Sequence, residues 1–255
     1  MNLWKLEWLR LLRTRRILIL FAVFVIFGFG EPLLTRYLPD IISHSSNANS
    51  SNIKVTVISK PTAAQGFAGY VGEVSGLGLI VTLIIAAYSL AIDAKPSLSA
   101  FYRTRTTKAS ILLLPRFTVM SAATLGAFMV GTLTAWYETT ALLGHSAAHN
   151  VITGMLLTCI YWVFCIATVT LTASLVRSIM ATVGLAFAIL VLAGLLTISN
   201  LEQWNPATLA PSMNDILSAK HTASYFVKPS LVTIGFIVLF LALALWRFKI
   251  REVEE

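Results

Sequence analysis

The sequence predicts an all-α integral membrane protein with six transmembrane helices, cytoplasmic N- and C-termini and an N-terminal interfacial helix. Of its 255 residues, 57% are hydrophobic and only 12% are charged, whereas about 25% of the residues in a typical soluble domain are charged. A soluble core of this length cannot bury so much apolar surface, so the surrounding solvent must be lipid. Long continuous apolar runs indicate that the lipid-embedded elements are helices.

Residues 1–16, "MNLWKLEWLRLLRTRR", predict a helix that lies in the membrane interface. Its apolar stripe follows helical spacing and consists of Trp4, Trp8, Leu11 and Leu12. Arg10 and Arg13 face away from this stripe. We do not expect a cleaved signal peptide, because no A-x-A-like site precedes Glu31.

Six apolar segments approach the roughly 20 residues that a helix needs to cross the hydrocarbon core. They are residues 17–36, 71–92, 111–137, 151–176, 179–198 and 231–246. The uninterrupted part of the first segment stops at Gly30, before Glu31 and Pro32. The six segments form one transmembrane domain, with outer loops at 37–70 and 199–228 and a cytoplasmic loop at 93–110.

The distribution of basic residues sets the predicted orientation, because cytoplasmic loops are enriched in Lys and Arg. With the N-terminus inside, 14 of the 19 basic residues fall on the inner side. The net charge of +8 is therefore explained by topology, and we expect no nucleic-acid partner, since the basic residues flank hydrophobic spans.

The connections differ in character. The serine and asparagine tract of the first outer loop predicts a flexible connector, while Pro206 and Pro211 predict turns in the second. Either Ser212 or Asn214 starts a short helix through Leu217. Only Arg177 and Ser178 separate spans four and five, which predicts a tight helical hairpin.

The cytoplasmic loop 93–110 and the start of span three form the most basic stretch between two spans. Its predicted short helix has an apolar face with two arginines beside it, namely Leu98, Phe101, Tyr102, Arg103 and Arg105. Pro115 should bend span three, and Arg116 should snorkel to the inner interface. The charges either set topology and hold anionic lipid, at about 1 kcal/mol each, or present an amphipathic helix to a cytosolic partner.

Several stretches resemble the permease subunits of ABC transporters of the ABC-2 type. "AFYRTRTTKASILLLPRF" is similar to the family's arginine-containing loop and helix start, with Pro115-Arg116 where Gly-Lys is expected. "TASLVRSIMATVGLAFAILVL" is similar to its fourth-to-fifth-span turn. "EPLLTRYLPDII" and "KPTAAQGFAGYVGEVSGLG" look like its first outer loop. The resemblance covers nearly the whole chain.

The resemblance implies a prokaryotic plasma-membrane exporter in which two permease chains, identical or related, bind two cytosolic ATPase subunits. Residues 98–105 would be the coupling helix, assisted by the N-terminal helix, and residues 208–217 would help form the external gate. The chain has no G-x-x-x-x-G-K-[ST] phosphate loop. We therefore expect no enzymatic activity or bound cofactor of its own, with ATP and Mg bound by the partner.

Other polar residues are weaker candidates. Glu73 in span two is a candidate for the transport path, Glu31 for the outer gate, and Arg177 for a topology anchor or an ATPase contact. Gly72-x-x-x-Gly76 allows close approach of another helix. No metal site is expected, since His145 and His149 with Glu138 make a poor ligand set.

Two other classes of function stay open on the sequence alone. One is an intramembrane enzyme, which would need polar catalytic groups converging within the spans. The other is a membrane anchor or immunity protein that works without ATP.

Overall fold

The computed structural model describes residues 3–48, 61–94, 109–196 and 202–254. These ranges contain nine α-helices and no β-strand, which confirms the all-α prediction for the described part of the chain. The helices are α1 (Leu3–Arg13), α2 (Arg16–Ala48), α3 (Ala63–Glu73), α4 (Leu79–Leu90), α5 (Ala109–Leu142), α6 (Ala148–Leu175), α7 (Ile179–Leu195), α8 (Ser212–Leu217) and α9 (Val227–Glu254).

Five helical segments of the described residues are long and apolar enough to cross a membrane. They are Arg16–Pro39, Ala63–Leu90, Ser110–Leu142, Ala148–Leu175 and Ala223–Ile250. The apolar helix α7 has 17 residues and is about 26 Å long at 1.5 Å per residue, somewhat less than the hydrocarbon thickness. Its predicted end at Ile198 lies outside the described residues, so the sixth span stays a prediction.

Helix α2 corrects the predicted end of the first span. We expected this span to be interrupted before Pro32 and to end at Arg36, but one helix continues through Pro32 and Pro39 to Ala48. Proline lacks the N–H that would bond four residues back, and membrane helices tolerate this loss where neighbouring helices pack closely. Pro32 is buried, and its Cα lies 3.8 Å from the position a Cβ on Gly66 of α3 would take.

The second span also begins earlier than predicted, at Ala63 and not at Val71. Thr62 starts the helix by donating its backbone N–H to Gln65 Oε1 at 2.9 Å, one half of a capping box. The span contains an unexpected π-helical turn at Val74–Gly78, after which α4 continues to Leu90.

Two features hold the centre of the bundle together. Phe24, Phe128 and Trp162 of α2, α5 and α6 are buried, with ring centroids 5.3 to 6.1 Å apart. Next to this cluster the backbones of α2 and α5 are in close contact, since a Cβ on Gly28 would overlap the Gly131 carbonyl oxygen. Small residues permit such close helix crossings in membranes.

The bundle has two ends, which we call the loop end and the plug end. The loop end is where α4 ends at Leu90 and α5 begins at Ala109. The plug end is where the short helix α8, Ser212–Leu217, packs against α6. Residues 176–178 form the whole connection between α6 and α7 at the loop end.

Candidate functional site

The residues predicted to contact an ATPase lie outside the described part of the chain. Leu98, Phe101, Tyr102, Arg103 and Arg105 all fall within residues 95–108, so their role stays a prediction. The structure describes the residues on both sides of this stretch. A 3₁₀ turn at Ile92–Ala94 precedes this stretch, and the first turn of α5 follows it.

Helix α1 packs against the loop end of the bundle through one face only. Glu7 and Leu11 are its buried residues. Trp4 and Trp8 keep 47% and 41% of their surface exposed. The predicted apolar stripe is therefore divided, because Leu11 contacts the bundle while the two tryptophans point outward, as interfacial tryptophans do.

The buried contact between α1 and α5 is an ion pair. Arg116 Nε donates to Glu7 Oε1 at 2.9 Å, and only 2% and 4% of the two side chains are exposed. Arg10 lies on the other side of Glu7, with its Nη1 3.5 Å from Glu7 Oε2. We expected Arg116 to snorkel to the inner interface, but its side chain is buried against the Glu7 carboxylate of α1 and is not exposed to water.

A second contact joins the start of α2 to the end of α4. The Arg16 guanidinium lies over the Tyr88 ring, 5.1 Å from its centroid, in a cation–π arrangement. Between α1 and α2 the chain turns at Arg15, whose φ of +54° is left-handed, and Thr14 Oγ1 donates to the Arg10 carbonyl at 2.8 Å. We call Glu7–Arg116 and Arg16–Tyr88 the corner contacts.

The corner contacts connect α1 and α2 to both helices that flank residues 95–108. Tyr88 is two residues before the end of α4, and Arg116 is in the second turn of α5. A displacement of these helix ends would therefore act on α1 through Arg116 and on α2 through Tyr88. Arg177, the other predicted inner residue, is exposed in the turn between α6 and α7.

The structure brings together two acids that the sequence analysis treated separately. Glu31 Oε2 lies 2.7 Å from the position a Cβ on Gly69 would take, and Glu73 follows Gly69 by one helical turn. Both acids are half-buried and interact electrostatically. Glu73 directly precedes the π turn at Val74–Gly78, and such turns occur often at functional sites.

Gly72 and Gly76 do not form a contact site within the described chain. A Cβ added to either would meet no described atom within 4 Å. Their close approach to another helix therefore stays a prediction, and the contact between α2 and α5 is at Gly28 and Gly131, whose positions gave no signal in the sequence. Likewise, the described residues contain no group of three or more His, Cys, Asp or Glu side chains that could hold a metal ion.

The predicted outer-gate segment is folded into the plug end. Pro206 begins a 3₁₀ turn that runs to Leu209, and Pro211 immediately precedes α8, which ends at Leu217 as expected. Pro206 is buried and Pro211 is exposed, while Leu217 packs against the core. The turns and short helix therefore occur where the two prolines predict them.

The short helix α8, which we call the plug, packs on α6 with almost no space between the backbones. A Cβ on Gly154 would lie 2.6 Å from the Met213 Cα, and Met213 is fully buried. Thr158 and Ser212 share a hydrogen bond of 3.2 Å beside it. Gly154 could not be predicted as a contact residue, because one glycine in an apolar helix gives no sign of what crosses it.

Asn205 fixes the segment that leads into the plug. Its Oδ1 accepts from the Ala207 N–H at 3.0 Å, and its Nδ2 donates to the Ala193 carbonyl of α7 at 2.6 Å. This amide thereby joins the 3₁₀ turn to α7. Asn205 is not among the residues predicted above, although an Asn-Pro pair is itself a turn signal.

The chain is similar to a protein of Bacillus subtilis (strain 168) named "Uncharacterized transmembrane protein YxlG". The two are 23% identical over 255 residues, which is 99% of this chain and 98% of that protein. No family model and no solved structure matches the chain. The helices of spanning length and this end-to-end similarity identify the chain as a multi-pass membrane protein.

Proposed function

We propose that the chain is the membrane-spanning permease subunit of an ABC exporter of the ABC-2 type. Two such chains, identical or related, would form the path across a prokaryotic plasma membrane and bind two cytosolic ATPase subunits. The observation that carries the proposal is the pair of corner contacts, which make α1 and both flanks of the basic loop 93–110 one mechanical unit.

Such a unit is what a permease without its own nucleotide site requires. ATP and Mg would be bound by the partner, whose closure must reach the membrane helices through a surface contact. Residues 98–105 supply the apolar and basic groups for that contact. Force applied there would act on α4 and α5 directly and on α1 and α2 through Tyr88 and Arg116.

The plug end would be the exit side of the path. Helix α6 extends from the plug contact at Gly154 to the turn before α7, so it links the two ends of the bundle. In this scheme Glu31 and Glu73 line the outer part of the path, where an ionisable pair can meet water or a cargo. The cargo we expect is amphiphilic or peptide-like.

The test is purification of the tagged chain from its native membranes in mild detergent, followed by identification of copurifying proteins and an ATPase assay. We expect a soluble ATPase in a fixed ratio to the chain. The triple variant Phe101→Ala, Arg103→Glu and Arg105→Glu should lose the ATPase, because it removes the aromatic anchor and reverses both charges.

A matched variant controls for general effects of added negative charge. Lys54→Glu and Lys60→Glu reverse two charges in the predicted outer loop and should leave the ATPase bound. A chain that purifies alone, with no hydrolysis, would refute the proposal and favour the anchor or enzyme alternatives. Equal binding of the ATPase to wild type and the triple variant would refute the coupling role of the loop.

A further inference from the structure

A cleft of about 360 Å³ opens at the plug end between α6, α7 and α9. Its side walls are Leu192 and Ala193 of α7 and Phe236 and Phe240 of α9, with Phe164 of α6 at its base. The three phenylalanine rings pack together, with centroids 5.8 to 6.4 Å apart. This volume is within the range of small-molecule sites in proteins.

The cleft offers a ligand hydrocarbon contact and almost nothing else. Asn205 is the polar side chain in its lining apart from the Trp204 indole, and both ends of its amide are already engaged with Ala207 and Ala193. A polar ligand would lose its own hydration here without finding partners, which is unfavourable. The occupant must therefore be apolar along the buried part of its length.

The mouth of the cleft is continuous with the protein–lipid interface. Leu192 and Phe236 line the cleft and also belong to the exposed apolar surface of α7 and α9. Trp204 stands at the rim with 57% of its surface exposed, the position of a tryptophan in the aromatic belt. Hydrocarbon chains of the bilayer thus reach the cleft without crossing water.

We propose that this cleft binds one acyl chain of a membrane phospholipid, with the headgroup near Trp204 at the plug-end surface of the bilayer. This acyl chain would fill the space between α7 and α9 and would pack against Pro206 and the turn that precedes helix α8. The proposal rests on the cleft and on the membrane location, and it holds whether or not an ATPase binds the loop end.

The test uses the purified full chain in vesicles of phosphatidylethanolamine and phosphatidylglycerol that contain phosphatidylglycerol with a diazirine near the acyl terminus. After irradiation, labelled residues are mapped by peptide mass spectrometry. We expect labels concentrated on cleft residues of α7 and α9. Ala193→Phe fills the cleft and should lower this labelling to the level found on lipid-facing residues outside the cleft, because the acyl terminus can no longer enter it.

Leu192→Trp blocks the mouth at an exposed position and keeps the test decisive if Ala193→Phe does not fold. Leu195→Trp is the matched control, because Leu195 is exposed on the same helix but does not line the cleft, and its labelling should equal wild type. The proposal is overturned if labels spread evenly along α7 and α9, or if neither cleft variant lowers them.

Discussion

Removing the charge of Glu7 should destabilise the protein more than removing that of Arg116. The two side chains are 2.9 Å apart and almost fully buried, and breaking such a pair from one side costs about 3–5 kcal/mol. Glu7→Gln leaves the Arg10 and Arg116 guanidinium groups on either side of a neutral amide. Arg116→Gln leaves Glu7 with Arg10 at 3.5 Å, so its cost should be about half as large.

The assay is the apparent midpoint of thermal unfolding in detergent at one fixed scan rate, followed by tryptophan fluorescence. For a chain of this size 1 kcal/mol corresponds to about 2–4 °C, so Glu7→Gln should lower the midpoint by about 6–20 °C. Arg13→Gln is the control on the same helix, because Arg13 is exposed, and it should change the free energy of unfolding by less than about 0.5 kcal/mol.

A double variant shows whether Glu7 and Arg116 stabilise the protein as a pair or independently of each other. Glu7→Leu with Arg116→Met removes both charges and leaves apolar groups of similar length, a replacement that is often neutral or stabilising by about 1–4 kcal/mol. We expect its midpoint near that of wild type. The reasoning is refuted if Glu7→Gln leaves the midpoint unchanged, or if the double variant loses the sum of two single losses.

Three further substitutions test other contacts by the same midpoint. Gly28→Ala should lower the free energy of unfolding by about 1–3 kcal/mol, because its methyl would overlap the Gly131 carbonyl. The control is Gly30→Ala, whose methyl would meet no described atom within 4 Å and should not lower the stability. Equal effects of the two substitutions would contradict the close crossing of α2 and α5. Gly154→Ala should cost a similar amount and speed protease cleavage within residues 202–217, and unchanged cleavage would count against tight plug packing. Asn205→Ala removes two buried hydrogen bonds and should cost about 1–3 kcal/mol; a shift below about 1 °C would show that neither bond matters.

Local signals in the sequence predicted some elements well. The short helix α8 begins at Ser212, one of its two predicted starts, because Pro211 and Ser212 are start signals that depend only on neighbouring residues. The turn at residues 176–178 follows from the absence of any other break between two apolar runs. In both places, the physics that determines the structure acts within a few residues.

The course of α2 shows where a local rule fails. Pro32 and Pro39 remove two helical hydrogen bonds, and in water this would favour ending the helix. In lipid, an ended helix exposes several unpaired backbone groups, which costs more than the two missing bonds. The helix therefore continues, and only knowledge of its packing against α3 and α5 would have predicted it.

The corner contact at Glu7 joins residues 109 positions apart, so no periodicity predicts it. A signal was nevertheless present. Glu7 is the one acid among the first 30 residues, and Arg116 is the one charge between residues 109 and 137. Since Arg116 is an isolated charge in an apolar setting and needs a partner, and Glu7 lies near the same predicted membrane surface, the two form a testable pair.

The two ends of the bundle differ in how far they can adjust. The corner contacts use long side chains of arginine, glutamate and tyrosine, whose rotamers can change while the charges and rings stay in reach. The plug contact at Gly154 and Met213 involves the backbone itself, and close-packed interiors do not deform continuously. A displacement that begins at the loop end can therefore pass to α1 and α2 in small steps. At the plug end, α8 must either move together with α6 as one body or separate from it completely.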